Sequence, residues 1–451
     1  MHPKSDYLIS QKPWQALLIF SLPMIVGNLF QQAYTMADSA VVGRFVSQQA
    51  LAAIGASYAL TTVFICIALG GGIGASVLVS MHFGSREYTK MKTCIFTSLL
   101  FFLLVSIALG LFGLFASREI LTLLRTPADV LDMAAQYLRI YFLGLPFLFM
   151  YNVLSAMFNA LGKSRIPLYF LIFSSILNVA LDLLLVIRFH IGIAGAAWAT
   201  LAAQGLSAVL SYLVFIRQLN AIYAPSVPYF DRTQLKGMIR IALPSILQQS
   251  TVSIGMMLVQ SVVNLFGSEI LAGFSAAARV ESFCIVPMIA IGNAVSSFTA
   301  QNLGAQNPDR VVQGYHTSNY MVLVCAAILC FCMKFFHKPI IALFLGADST
   351  PLASATGEAY LTFIGFFFCL IGFKMAVDGL LRGAGDMKMF TIANLVNLSI
   401  RVSVSMIFAP RLGVAVIWYA VPLGWLANWC ISFCQYRTQK WRRIYAPNTQ
   451  T

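Results

Sequence analysis

Twelve predominantly apolar stretches, each of roughly 20 residues or more, recur along this chain. They lie near residues 14–42, 51–82, 93–115, 133–158, 166–187, 193–216, 237–264, 271–302, 316–336, 356–381, 389–408 and 413–435. Of the 451 residues, 59% are hydrophobic and only 10% are charged, more apolar surface than a water-soluble fold of this length can hide. In lipid every backbone N–H and C=O must be satisfied within the chain, so spans of this length are helices. The expected class is therefore an all-α polytopic membrane protein with twelve transmembrane helices.

The formal charge of +14 would suggest nucleic acid in a soluble protein. Here the surplus lies in short segments beside the spans, so it reads as membrane orientation instead. With the N-terminus inside, the inner segments carry 18 Lys or Arg and the outer loops seven, so both termini are expected in the cytoplasm. Met1 to Pro13 is polar, and no cleavable leader is expected. The longest polar stretch between spans, Arg217 to Lys236 with Pro225 and Pro228, marks a linker. The expected organisation is an N-terminal six-helix lobe (1–220), a cytoplasmic linker (221–236), a C-terminal six-helix lobe (237–436) and a cytoplasmic tail (437–451).

The two lobes resemble each other. Leu22-Pro23 matches Leu243-Pro244, Leu51–Ala56 matches Leu271–Ala276, Gly72–Gly84 matches Gly292–Gly304, and Asn159–Lys163 matches Arg382–Asp386. Four matches in one order and at nearly constant offset imply an internal duplication. Six spans per half place both halves in the same orientation, related by an axis along the membrane normal with a cavity between them, the plan of a transporter.

Asp182 sits inside the apolar run Ile176–Ile187. A charged side chain at mid-membrane costs roughly 2.5–3.5 kcal/mol on insertion scales, so such a group is retained mainly for function. Asn178, four residues earlier, shares its helix face. Asp38 ends the first span and Thr200 begins the sixth. At 1.5 Å per residue, Asp38, Asp182 and Thr200 lie roughly 6, 8 and 10 Å inside the same membrane face. Two acids, an amide and a hydroxyl can thus meet at one level, with hard oxygen ligands for a sodium ion and paired acids suited to exchanging a proton. The alternatives are a headgroup-level Asp38 and a Thr200 bonded back to its own helix. Pro23, about four turns before Asp38, is expected to kink the first span, either as a hinge or as a static kink that only aids packing.

In the second half, Arg279, Glu281 and Arg401 lie within spans. They are candidate polar groups of a cavity, with a buried pair of Glu281 with Arg279 or Arg401 as the alternative. Lys374 and Asp378 are four apart near an inner helix end, where an intrahelical pair with a snorkelling lysine accounts for them. The scattered histidines and cysteines form no zinc or disulfide pattern, so no structural metal and no cofactor are expected.

The chain resembles the multidrug and toxic compound extrusion family of cation-coupled exporters. The resemblance rests on twelve spans in two halves, Leu22-Pro23, Met36-Ala-Asp38-Ser-Ala-Val-Val-Gly43, the pair Asn178 and Asp182, and Leu381-Arg-Gly-Ala-Gly385-Asp386. It implies a V-shaped pair of six-helix bundles that alternates access and expels amphipathic, often cationic, organic compounds in exchange for protons or sodium ions. It further implies that Asp38 and Asp182, with Asn178 and Thr200, bind the coupling ion, and that bending at Pro23 accompanies protonation. Another branch of the family carries acids in the seventh and tenth spans; here Gln248, Gln249 and the apolar surroundings of Cys369 stand there instead. The expectation is a non-enzymatic antiporter of the cell inner membrane, working as a monomer. The rivals are a flippase for lipid-linked oligosaccharide, a membrane-embedded prenyl-transferring enzyme and a channel. The first wants a strongly basic cavity, and the second a cluster of acids for magnesium.

Overall fold

A computed structural model describes residues 6–346 and 349–443, with the side chains of residues 37–44, 48, 59 and 443 outside the description. The described chain is helical almost throughout. A short α1 (Tyr7–Ser10) precedes α2 (Pro13–Phe45), α3 (Gln48–Gly84), α4 (Tyr88–Leu123), α5 (Ala128–Leu143), α6 (Leu145–Ala160) and α7 (Arg165–Asp182). There follow α8 (Ile193–Asn220), α9 (Arg232–Val263), α10 (Ser268–Gly304), α11 (Pro308–Leu345), α12 (Pro351–Gly365), α13 (Phe368–Gly383), α14 (Met387–Leu412) and α15 (Ala415–Arg437).

Among the described residues, ten helices are long and apolar enough to cross a membrane singly, and two bent pairs bring the number to twelve if each is one span. Each span expected from hydropathy falls on one of these. The fourth span is α5 with α6, bent by 50°, and the tenth is α12 with α13, bent by 52°. At the first break Pro146 follows Gly144, removing a donor from the helical ladder. The second break follows Gly365 and has no proline. Apolar windows alone had run straight through both.

The chain forms two compact units, Val26–Ile246 and Met1–Ile25 with Leu247–Thr451. Their boundaries fall inside continuous helices, just past Pro23 in α2 and just past Pro244 in α9. Within each unit the helices close on one another through small residues, the usual route to tight packing where lipid tails supply no hydrophobic drive. In the first unit, a β-carbon on Gly70 would meet the Ile246 backbone at 2.5 Å, so α3 and α9 approach backbone to backbone. In the second, one on Gly292 of α10 would lie 2.7 Å from the Met375 carbonyl of α13.

Candidate cation site

The sequence around Asp182 builds a hairpin. α7 gives way after Asp182 to a π-helical turn, Leu183–Arg188. The chain reverses through His190 and Gly192, both at positive φ (54° and 68°), and α8 begins at Ile193. Gly192 suits this left-handed turn because it carries no β-carbon. The reversal sets Thr200 level with Asn178 and Asp182, as the depth count predicts.

Asn178 and Asp182 are 1% and 0% exposed. Asn178 is the hub. With its amide turned so that both ends are satisfied, Nδ2 donates to Asp182 Oδ2 at 2.9 Å and to the Tyr34 hydroxyl oxygen at 3.2 Å. Its oxygen faces the Thr200 N–H and Oγ1, each at 3.1 Å. Thr200 Oγ1 is also 3.0 Å from the Ala196 carbonyl, so the backbone bond foreseen for it is present beside its contact with Asn178. Beside Thr200 lies a cavity of about 10 Å³, enclosed by Tyr137, Tyr141, Leu148, Leu201 and Gln204. That is room for about one water.

Asp38 lies on α2 one turn beyond Tyr34, but its side chain is outside the described residues. The described part of the site therefore consists of Asp182, Asn178, Thr200 and Tyr34. Sequence reading missed Tyr34, although its four-residue spacing from Asp38 placed both on one helical face. A buried carboxylate with amide and hydroxyl oxygens beside it can neutralise and ligate a small cation, or hold a proton. Among the described residues, no three His, Cys, Asp or Glu gather as a metal cage.

The second unit's polar groups separate into two clusters. Glu281, 6% exposed, accepts a hydrogen bond from the Tyr360 hydroxyl at 2.7 Å and interacts electrostatically with Arg401. Arg279 is exposed on α10 and stands apart from this group. Of the two arginines considered for Glu281, Arg401 is the one whose charge acts on it, with no direct ion pair between them among the described residues.

Within α13, Lys374 Nζ is 3.0 Å from Asp378 Oδ2, with both side chains 2% exposed. The intrahelical pair is present, but a snorkelling lysine is not. α13 packs against α10, α11 and α15, which leaves Lys374 no path to water. The pair is compensated locally, because Asn394 Oδ1 accepts from Lys374 at 3.1 Å and Ser432 donates to Asp378 at 2.8 Å. Arg382, which the sequence offered only as part of a repeat motif, is buried and donates to Asn293 at 2.7 Å, Ser296 at 3.3 Å and Gln248 at 3.3 Å. Gln248 is thus an arginine's partner here.

Comparison with known proteins agrees with this architecture. The family profile MatE matches residues 23–184 and again residues 244–407. The probable multidrug resistance protein YpnP of Bacillus subtilis is 32% identical over 430 residues, covering 95% of this chain and 96% of the relative. An FAD transporter of Shewanella oneidensis is 27% identical, covering 75% of each chain. Among solved structures, the outward-facing conformation of a multidrug resistance MATE family transporter of the MOP superfamily superposes with a TM-score of 0.90 at 23% identity, covering 98% of this chain and 99% of the other. Two profile matches, one per half and together well over half the chain, join a full-length relative: this chain belongs to the MatE family of multi-pass membrane transporters.

Proposed function

We propose that the protein is a secondary antiporter of the cell inner membrane, with both termini cytoplasmic, exporting amphipathic organic compounds, cationic ones foremost. An inward-moving proton or sodium ion occupies the pocket of Asp38, Asn178, Asp182 and Thr200 and resets the transporter for the next cargo. The observation that carries this reading is Asp182, 0% exposed within an apolar helix and accepting a hydrogen bond from the Asn178 amide. A carboxylate at such a position is costly and marks an ion or proton pathway. Coupling needs only that the ion favour one conformation and the cargo the other.

The lobes 1–220 and 237–436, joined by the cytoplasmic linker, serve as the two moving bodies of a single working chain, and Pro23 serves as a hinge in α2. The name of the Bacillus relative supports drugs as cargo. The name of the Shewanella relative supports a second reading, an anionic dinucleotide cargo. Neither name speaks for a lipid-linked oligosaccharide.

The test is export from proteoliposomes with pH and sodium gradients imposed separately. One gradient is expected to drive export of an organic cation and the other not. Export indifferent to both would overturn the proposal.

A further inference from the structure

The duplication allows the two halves to be compared position by position at the cation site. Counting from Pro23 and from Pro244, Tyr34 falls opposite Gly255 and Asp38 opposite Val259. Counting back from the ends of the two matched segments, Asn178 falls opposite Arg401 and Asp182 opposite Ser405. Counting on from the positive-φ glycines Gly192 and Gly413, Thr200 falls opposite Val421. Both acids of the first half are gone from the second, and the neutral hub has become an arginine.

The space around Arg401 is shaped for that exchange. A β-carbon on Gly255, where the first half carries Tyr34, would lie 4.0 Å from Arg401 Nη1. One on Gly424 would lie 2.9 Å from Arg401 Cγ, so the side-chain stem passes α15 closely because a glycine is there. Glu281 supplies the counter-charge from α10, at the position where the first half has Thr61. Tyr360, which donates to Glu281, is packed between Phe274 and Trp418, with ring centroids 5.2 and 5.9 Å away. Among the described residues, Arg401 Nε and Trp418 Nε1 are buried without hydrogen-bond partners, so this pocket is held by charge and shape more than by a closed network.

We propose that Arg401 is a tethered cation filling the second half's copy of the cation site, so that exchangeable cations pass through the first half alone. This rests on the first-half pocket being the coupling site. In physical terms the two halves hold the same kind of charge in different ways. One half admits it from solution; the other carries it covalently, neutralised by Glu281.

The experiment is cation uptake by the purified full-length protein in detergent, measured with radioactive sodium and, in parallel, with a pH indicator for protons. Wild type is expected to take up a single cation and Asp182→Asn none. Adding Arg401→Asn to Asp182→Asn, which recreates the first half's neutral hub beside Glu281, is expected to restore uptake. Glu281→Gln on top of both is expected to abolish it again, and Arg401→Lys in place of Arg401→Asn to restore nothing.

A folded Asp182→Asn/Arg401→Asn protein that takes up no cation would overturn the inference. So would an Asp182→Asn protein that keeps a cation lost on Glu281→Gln, a result that needs no Arg401 variant to fold. A cation that survives both Asp182→Asn and Glu281→Gln would instead defeat the first-half site, and the two failures are told apart in that way.

Discussion

Asp182→Asn separates ion coupling from folding more cleanly than any other single change. Asparagine has the shape of aspartate, and its carbonyl oxygen can accept the bond that Asn178 Nδ2 makes at 2.9 Å. What disappears is a full negative charge. A cation about 4 Å from that charge gains about 4 kcal/mol at an effective dielectric constant of about 20. Ion affinity should therefore fall by about a thousandfold. Side-chain hydrogen bonds between membrane helices average only about 0.6 kcal/mol, so imperfect re-pairing of the new amide should cost about 1 kcal/mol of stability or less. The assay is gradient-driven export in proteoliposomes over a range of driving-ion concentrations, with thermal unfolding of the same preparation alongside. Coupling should vanish at ion concentrations that saturate wild type, while the melting profile stays close to wild type. A variant that exports with an ion dependence within tenfold of wild type would refute the assignment. Loss of the fold would refute the reasoning about shape.

Three further expectations concern the structure that carries the site. Breaking the buried Lys374–Asp378 pair on one side, with Lys374→Met or Asp378→Asn, should cost about 3–5 kcal/mol by stranding a charge, and the double variant should recover much of it; a double-mutant cycle on thermal stability measures this. Gly379→Ala would push a β-carbon into the Gly292 carbonyl of α10, and overpacking of this kind costs about 1–3 kcal/mol, so the melting temperature should drop. Outside the membrane, Glu87 is held below its ordinary 4.5 chiefly by the Lys90 ammonium, with His82 helping and partial burial opposing. A depressed carboxylate stabilises the fold above its unfolded-state value and loses that contribution as pH falls. Melting of Glu87→Gln should therefore lie below wild type at neutral pH, and the gap should close as pH drops below 4.5; a gap that widens there would contradict the sign.

The sequence made depth readable and left direction around the helix axis largely unreadable. Depth follows from counting 1.5 Å per residue from a span's end, and this count sets Asp38, Asp182 and Thr200 roughly 6, 8 and 10 Å inside one face. Direction depends on which neighbours a helix meets. Spacing alone pairs Lys374 with Asp378, but only the packing of α13 on three helices shows that the lysine is buried and does not snorkel. Glu281 likewise had two arginines at reachable depth, and only packing separates the exposed Arg279 from the enclosed Arg401. Tyr34 escaped notice because a tyrosine in an apolar helix reads as packing until a polar partner faces it.

The π turn after Asp182 left no trace in Leu183-Leu-Leu-Val-Ile187, a run that any regular helix would accept. Its effect is nevertheless directional. Widening the turn inserts extra backbone directly after the carboxylate, leaving Leu183 and Leu184 at 43% and 44% exposure while Val186 returns to the interior at 3%. Such turns are uncommon, and they concentrate at functional sites. In this chain the irregularity begins directly after Asp182, a carboxylate proposed to exchange the coupling cation. If a cation is exchanged there as proposed, a backbone already off the regular ladder lets the pocket adjust without unwinding the rest of α7.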